Sequence, residues 1–518
     1  MSVIKRFSLP AVLFFFSAGA SFAEVKLASI FGDHMVLQQG VSLPFWGVAH
    51  PGESVSITLG EDTKSTTADA DGKWQIQFRP MKAGGPYDIG VTGQNAFLLK
   101  DIYVGEVWLG SGQSNMDMTV AAEDRYWCGV MNEQAEVASA NYPQIRMFKT
   151  RLNMTDTPQT EAGGQWVVTT PETVKRYSAT AYFFARELRE KLHVPVGIID
   201  SSFGASTAQA WISPEALQKN KDFAYLLEAY SKAKSDFAAN GVAKTRKYEE
   251  DMKVWTHEAA KAASEGKFLP KGPNWGNPHQ NQHNPGVLYN GMIAPLIPFP
   301  IRGVIWYQGE SNEDESVKIY RRLMETLIGD WRQRWNAGNL PFLYVQLANL
   351  HTLALEPADK APIAKVREAQ LQNLSVPDTA MVVTIDIGDA DNVHPKNKQE
   401  VGRRLGLAAR ALAYKESVPY SGPLYQSMEV KGNLVVIRFK DCAGGLHAKG
   451  GTPIGFAIAG EDRKFVWVNA KIENDSVVVS SPQVALPVAV RYGWADNPPV
   501  NLYNKADLPA SPFRTDEW

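Results

Sequence analysis

The chain has 518 residues, of which 53 are Lys or Arg and 55 are Asp or Glu, so its formal net charge is −2 at pH 7. Because charges of both signs are spread along the chain, its electrostatics give no reason to expect nucleic acid or an anionic membrane as a partner. The length exceeds what one hydrophobic core organises and predicts two or three domains.

The first 23 residues have the pattern of a secretory signal peptide. Lys5 and Arg6 form a charged start, an apolar core follows over 11–16, and the cleavage signal is Ser21-Phe22-Ala23. The apolar stretch is shorter than the ~20 residues of a transmembrane helix. The sequence therefore predicts export, to the periplasm or the medium, with no stable membrane insertion after cleavage.

Short apolar runs separated by turn signals fill residues 24–103. The turn signals include Pro51-Gly52, Asp71-Gly72 and Gly84-Gly85-Pro86. Strands at such regular spacing predict a small N-terminal domain that resembles a β-sandwich.

Apolar strands alternate with helical stretches from residue 104 to residue 415. The predicted strands cover 104–109, 197–199, 302–307, 342–347 and 381–385, and the predicted helices cover 179–192, 320–335 and 400–414. This alternation indicates a parallel sheet with helices on both faces. A long, charged, alanine-rich stretch over about 214–267 predicts an inserted helical hairpin that is mostly solvated.

The β pattern returns over residues 416–518. Candidate strands cover 433–439, 454–459, 464–468, 476–480 and 488–492, which predicts a C-terminal β-rich region. The tail over 497–518 is rich in Pro, Asn and Asp, and we expect it to lie across the surface.

The cysteines and histidines indicate no metal site. Cys128 and Cys442 are the only cysteines; an oxidising compartment would permit a disulfide between them, and two buried free thiols agree with the sequence equally well. His279 and His283 are four residues apart, but their Asn-rich, Pro-flanked surroundings predict a loop rather than a metal-binding helix. We therefore expect neither a metal nor another cofactor.

Ser114 is the first candidate for chemistry. It lies in segment 110–116 (GSGQSNM), after the strand 104–109 and where a helix is predicted to begin. Open α/β sheets place ligands at the carboxyl ends of their strands, and a backbone N–H group there can face an oxyanion. A serine that only caps the helix agrees with the same segment.

An acid and a base follow the strand 381–385, in segment 386–395 (DIGDADNVHP). His394 can accept the proton of Ser114, and Asp391 can bind the other ring nitrogen of the imidazole. A plain turn or a metal loop also agrees with this segment, and Asp386 and Asp389 are alternative acids.

Two further polar loops follow apolar strands. Segment 200–206 (DSSFGAS) contains Gly204, which can present a backbone N–H, and segment 306–312 (WYQGESN) contains Gln308 and Asn312 as side-chain donors to an oxyanion. Four such loops, with a nucleophile, donors and an acid–base pair, predict a serine hydrolase.

These segments resemble the four motif blocks of the SGNH (GDSL-like) hydrolases, and more specifically those of the sialate O-acetylesterases. The likeness is carried by 105–116 and 306–312 and extends to 35–38, 288–296, 490–492 and 509–515. It implies a flavodoxin-like parallel sheet with helices on both faces, flanked by N- and C-terminal β-rich domains. The sequence departs from the family pattern at 203–206 (FGAS) and lacks its Gly-x-Asn-Asp in the third block.

The resemblance also implies the site and its reaction. Ser114, Asp391 and His394 would form the catalytic triad, while the N–H groups of Ser114 and Gly204 and the side chain of Gln308 or Asn312, with Gln308 favoured, would bind the oxyanion. The implied activity is removal of O-acetyl groups from carbohydrates through an acetyl-enzyme, with 9-O-acetylated sialic acid as the expected substrate.

Other functions agree with parts of the sequence. Acetylated xylan or another polysaccharide is the alternative substrate, and a phospholipase or thioester hydrolase is a weaker rival on the same fold. A non-catalytic carbohydrate-binding protein is the alternative of another class, with the 14 tryptophans as sugar platforms. The sequence predicts no oligomeric state.

Overall fold

The structure of the protein is a computed structural model, which describes residues 24–518 except 266–269, 271, 274, 315 and 359. The predicted signal peptide over 1–23 lies outside the described residues. Where the chain is described, none of its helices is long and apolar enough to cross a bilayer.

Between residues 24 and 93, the first stretch that the structure describes, the chain has seven strands. They are β1 (Lys26–Leu27), β2 (Val36–Gln38), β3 (Leu43–Val48), β4 (Ser54–Leu59), β5 (Asp62–Thr67), β6 (Lys73–Phe78) and β7 (Gly84–Thr92). β1, β3 and β6 form one sheet, and β4 pairs with β5 and β7 in another. β5 was not predicted, because its sequence DTKSTT has no apolar residue to mark one face as buried.

Seven further strands form the path of the central sheet. They are β8 (Ala96–Gly112), β9 (Tyr142–Lys149), β10 (Trp166–Thr169), β11 (Val196–Ser202), β12 (Gly303–Tyr307), β13 (Phe342–Val345) and β14 (Thr379–Val382). Their order is β10-β9-β11-β8-β12-β13-β14. All neighbours are parallel except β9 and β10, so the sheet is mixed rather than wholly parallel as predicted. The other five strands, β11, β8, β12, β13 and β14, can be numbered 1 to 5 in chain order. Their order across the sheet is then 2-1-3-4-5, which is the flavodoxin-like order.

β8 crosses the predicted domain boundary between residues 103 and 104. Its first part pairs antiparallel with β7, and its last part pairs in parallel with β11 and β12. The N-terminal β-rich region and the central sheet therefore share one strand, and their buried side chains form one continuous core.

Helices cover both faces of the central sheet. The α-helices are α1 (Ser114–Asp117), α2 (Glu133–Ala138), α3 (Ala179–Leu192), α4 (Pro214–Gln218), α5 (Ala224–Ser264), α6 (Val317–Trp335), α7 (Pro362–Gln372) and α8 (Lys398–Leu412). In β12, Ile305 lies with Ala181 of α3 beside Gly110, whereas the ring of Trp306 packs against Trp331 of α6 at 6.0 Å. Because adjacent residues of a strand point to opposite faces, α3 and α6 lie on opposite faces.

The insertion contains one long helix and not the predicted helical hairpin. α5 has 41 residues, and the chain after it returns without a second α-helix in its described part. On this return Trp275 stacks on Tyr248, and its Nε1 donates to Thr245 Oγ1 at 3.1 Å. The return is rich in Pro, Gly and Asn, which interrupt a helix.

Ten strands form the C-terminal β-rich region. They are β15 (Leu424–Lys431), β16 (Leu434–Lys440), β17 (Leu446–Ala448), β18 (Phe456–Ala459), β19 (Val466–Trp467), β20 (Asn469–Glu473), β21 (Ser476–Ser480), β22 (Ala489–Tyr492), β23 (Leu502–Asn504) and β24 (Phe513–Arg514). They lie in three small sheets and bury a hydrophobic core of their own.

The tail is part of this core, so the prediction that it lies across the surface was wrong. β23 pairs with β17, and β24 pairs with β22. Arg491 binds both carboxylate oxygens of buried Asp516 at 2.9 and 2.6 Å. The apolar side chains of Leu502, Leu508 and Phe513 are buried, which outweighs the polar composition of the tail. The two cysteines, Cys128 and Cys442, are buried free thiols.

Candidate active site

The carboxyl ends of three neighbouring strands stop at the same level. Gly112 of β8 is in register with Ser202 of β11 on one side and with Tyr307 of β12 on the other. The loops with Ser114, Gly204 and Gln308 therefore leave the sheet side by side. The strand order reverses at β8, and such a switch point forms the crevice in which open α/β sheets bind ligands.

Gly112 makes the turn between β8 and α1. Its φ is +136°, and a Cβ at this position would lie 2.2 Å from Tyr307 O, so the close approach of β12 requires glycine. Ser114 is then the first residue of α1, while Gln113 holds the cap position. Ser114 is therefore not the helix cap that the alternative interpretation required, and its side chain is half-buried.

Gly204 faces Ser114 across the crevice. A Cβ on Gly204 would lie 3.7 Å from Ser114 Cβ. The preceding N–H, of Phe203, donates to Gly112 O at 3.0 Å and ties this loop to the end of β8. Within the described part of the chain, the N–H groups of Ser114 and Gly204 donate to no backbone acceptor. Both can therefore bind an oxygen of a ligand.

Gln308 and Asn312 lie at the same edge of the sheet, but their amide groups bind the protein. Gln308 Nε2 donates to Ser206 O at 3.1 Å and to Asn312 Oδ1 at 2.7 Å. Asn312 Nδ2 donates to Gln209 Oε1 at 3.1 Å and to Ser316 Oγ at 3.0 Å. Both side chains are fully buried, and they hold the loop that contains Gly204. A donor role toward an oxyanion requires the exchange of one of these hydrogen bonds.

His394 lies beside the segment of the nucleophile. Asn115 Nδ2 donates to Val393 O at 2.9 Å, which joins the residue after Ser114 to the residue before His394. The imidazole packs against Trp127 with 4.7 Å between ring centroids, and its Nε2 is buried without a hydrogen-bond partner in the described part of the chain.

The environment of His394 favours the neutral imidazole. Burial is the main cause that lowers the pKa of His394 to about 4, and the positive charges of Lys398 and Arg125 add to it, against the opposing charge of Asp117. At neutral pH the ring is therefore unprotonated, which a general base requires.

The predicted acid is separate from the imidazole. Asp391 is exposed, its N–H donates to Asp389 Oδ1 at 3.0 Å, and it is not among the charges that shift the pKa of His394. The alternative acid Asp386 binds Arg404 through both carboxylate oxygens, at 2.7 and 2.8 Å, so its role is structural. The structure thus places Gly204 beside Ser114, joins the segment of Ser114 to that of His394 through Asn115, and leaves Asp391 at the surface.

Several residues that the sequence analysis did not assign also belong to this region. Arg125 lies over the ring of Trp127 at 4.2 Å and donates to Asp117 Oδ2 at 2.6 Å. Lys398 is buried and Glu310 is half-buried, and both contact Asn115, the residue after Ser114. Asn115 lies in segment 110–116 and Glu310 in segment 306–312, whereas no sequence signal indicates the isolated Lys398.

The segment around His283 is hydrogen-bonded to the chain that follows the Gly204 loop. The carbonyl of His283 accepts hydrogen bonds from Thr207 Oγ1 at 3.1 Å and Gln209 Nε2 at 3.3 Å. His279 instead lies 3.4 Å from Asp156. The two histidines thus have separate partners.

A family model matches the second half of the α/β region over residues 104–415. It is described as a carbohydrate esterase, sialic acid-specific acetylesterase, and it matches residues 276–411. This range includes Gln308, Asn312, Asp391 and His394.

Curated relatives match almost the whole chain. Human sialate O-acetylesterase is 30% identical over 96% of this chain and 93% of its own length. The mouse sialate O-acetylesterase is 29% identical over 96% of this chain and 95% of its own length. Among solved structures, a novel carbohydrate acetylesterase from Xanthomonas citri is 36% identical with a TM-score of 0.79, covering 95% of this chain and 100% of that one.

Proposed function

The chain belongs to the sialate O-acetylesterase family, and on that premise we propose a serine mechanism and a substrate for its hydrolysis of carbohydrate acetyl esters. As a member of this family it is a carboxylic ester hydrolase. Its catalytic fold is proposed to be that of the SGNH hydrolases, a proposal supported by the flavodoxin-like order of five central strands.

In the proposed mechanism, His394 Nε2 accepts the proton of Ser114 as Ser114 Oγ attacks the acetyl carbonyl. The N–H groups of Ser114 and Gly204 bind the oxyanion. The sugar oxygen then leaves with the proton from His394, and water attacks the acetyl-enzyme in a second round of the same steps. Acetate and the deacetylated sugar are the products.

The observation that carries the proposal is that β11, β8 and β12 end at the same level, so that the loops following them lie side by side. It supports a nucleophile at Ser114 because two N–H groups without backbone acceptors, on Ser114 and Gly204, lie beside the serine. The contact of Asn115 with Val393 O supports His394 as the base. Asp391 is the proposed acid of the triad, which requires its carboxylate to move from the surface toward the imidazole. Gln308 and Asn312 hold the Gly204 loop, and a third hydrogen bond from one of them stays a prediction.

The proposed substrate is a sialic acid with an acetyl ester at C9. The names of the curated relatives and of the family model support it. Arg125, whose side chain is 33% exposed close to His394, supports it as well, because a guanidinium can bind the carboxylate of a sialic acid. The xylose units of xylan have no such carboxylate. Acetylated xylan is the second candidate, since the Xanthomonas relative is named only a carbohydrate acetylesterase.

We further propose that the protein acts outside the cytoplasm. The signal-peptide pattern over residues 1–23 supports this proposal.

Release of acetate from 9-O-acetylated sialic acid and from acetylated xylan tests the function. Ser114→Ala is expected to lower kcat by at least about 10⁴-fold, because it removes the nucleophile. Ser111→Ala is the matched control: its hydroxyl is buried on β8, just before Ser114, without a hydrogen-bond partner in the described chain, so its loss should leave activity unchanged. Full activity of Ser114→Ala would contradict the mechanism, and faster release from xylan would contradict the proposed substrate.

A further inference from the structure

A buried lysine that the proposed mechanism does not use lies behind the nucleophile. Lys398, the first residue of α8, is 0% exposed, and its ammonium donates to Asn115 Oδ1 at 2.7 Å and to Pro395 O at 2.6 Å. It makes no ion pair with a carboxylate in the described part of the chain. A buried ammonium is costly unless other groups stabilise it, and here its two oxygen partners act together with the ring of Tyr307, whose centroid lies 5.5 Å from the ammonium.

Asn115 joins this ammonium to the histidine loop. Its Oδ1 accepts from Lys398, while its Nδ2 donates to Val393 O at 2.9 Å and to Glu310 Oε1 at 2.6 Å. The cation on one side and the two acceptors on the other determine the orientation of the amide. Asn115 therefore binds Val393 O directly and Pro395 O through Lys398.

The two carbonyls held in this way flank His394 on both sides in the chain. Asn115 itself directly follows Ser114, so one set of hydrogen bonds connects the nucleophile to the backbone on either side of the base. No carboxylate within the described chain bonds to the imidazole. The backbone contacts are therefore the observed link that sets the position of His394 relative to Ser114.

We propose that Lys398 is a positioning residue of the esterase, which acts through Asn115 and Pro395 O to hold His394 at the distance from Ser114 that proton transfer requires. The inference rests on the proposed roles of Ser114 and His394. A misplacement of about 1 Å can cost about 100-fold in rate, so the loss of this link should lower kcat by about that factor. Binding of the sugar should change little, since Lys398 is out of its reach.

The charge of Lys398 has a second effect that a purely structural role would not have. Together with Arg125 it lowers the pKa of His394, which burial already depresses, and Asp117 opposes both. The pKa of Lys398 itself is lowered to about 7 by burial, against the attraction of Glu310 and Cys128, so Lys398 is charged where His394 titrates. His394 must be unprotonated to act, and kcat/KM of the unaltered protein should therefore fall only as the pH drops through about 4. Without the lysine charge, this fall should begin at a higher pH.

The test compares Lys398→Met, Asn115→Ala and the double variant in kcat, KM and the pH profile of kcat/KM. Each single variant is expected to lose about 100-fold in kcat with KM within about threefold. The double variant is expected to lose about as much as one single variant, because both changes break the same link. The pH at which kcat/KM falls on the acid side should be higher in Lys398→Met and unchanged in Asn115→Ala. Lys365→Met, an exposed lysine on α7, is the control.

Three results would overturn the inference. The first is an unchanged kcat in a folded Lys398→Met. The second is a loss of kcat in the double variant equal to the product of the two single losses. The third is an acid-side fall of kcat/KM that occurs at the same pH in Lys398→Met as in the unaltered protein. If Lys398→Met fails to fold, an unchanged kcat in Asn115→Ala would overturn it. Ser114→Ala separates this inference from the proposed function: if that variant is inactive while the Lys398 and Asn115 variants keep full activity, only the positioning role is wrong.

Discussion

At the residue scale, the imidazole of His394 is surrounded by an aromatic ring and two cations. Trp127 packs against it at 4.7 Å, while Lys398 and Arg125 add positive charge nearby. In a Ser–His pair with a buried acid, the acid stabilises the imidazolium that forms during the reaction. In this structure Asp391 is exposed, and the link to the nucleophile passes through the backbone instead. Whether Asp391 joins the imidazole during the reaction is therefore a question that one substitution answers.

Asp391→Asn tests the acid of the triad. If the carboxylate stabilises the imidazolium, kcat should fall by about 10⁴-fold while KM stays constant, because the interaction is made in the transition state. Asp389→Asn is the matched control, since its amide oxygen can still accept from the Asp391 N–H. A decrease below about tenfold in Asp391→Asn would mean that Asp391 is not the acid.

At the element scale, close contact between α3 and α8 sets the position of the helix that follows His394. A Cβ on Gly402 of α8 would lie 2.4 Å from Phe183 Cβ and 2.6 Å from its carbonyl carbon, so the two helices pack backbone against backbone. Hydrophobic periodicity predicted both helices, and α3 begins and ends at the predicted residues. It did not predict this approach, because small residues on a helix face do not specify which partner they meet.

Gly402→Ala should destabilise the protein. The gain in helix propensity, about 1 kcal/mol, is outweighed by an overpacking cost of about 1–3 kcal/mol with no flexible neighbour to yield. Gly329→Ala is the control on α6, where a Cβ would meet nothing within 4 Å, and it should leave stability unchanged or raise it by up to about 1 kcal/mol. Denaturant midpoints of the two variants measure the difference. Equal midpoints would show that α3 and α8 can separate at little cost.

At the scale of the whole molecule, β8 and the core around it connect the N-terminal β-rich region to the catalytic sheet. The ring of Phe45 lies 5.0 Å from that of Phe31, which in turn lies 5.6 Å from Phe299 in the catalytic region. The C-terminal strands have a core of their own. The boundary predicted at residue 103 thus marks a change of pattern in the sequence rather than a gap in the packing.

Phe45→Ala should therefore lower the stability of the central sheet together with that of the N-terminal β-rich region. Phe45 is 0% exposed, and the loss of a buried phenylalanine costs about 3–5 kcal/mol. The midpoint of heat inactivation should fall by as much as the midpoint from tryptophan fluorescence, while Leu98→Ala, whose side chain is 48% exposed, should move neither. An unchanged inactivation midpoint in Phe45→Ala would mean that the two regions unfold independently.

The sequence by itself determined the alternation of strands and helices, the loops that follow the strands, and the segments with Ser114, Gly204 and His394. Apolar periodicity and turn residues are local, and each loop follows its own strand, so these features can be read without the fold. Only the tertiary structure decided that β10 is antiparallel, that Gln308 and Asn312 bind the protein, and that Asp391 is exposed. It alone joined Lys398 to Asn115, which are 283 positions apart. That contact depends on the order of the strands and on the burial of a single charge, and neither leaves a periodic pattern in the chain.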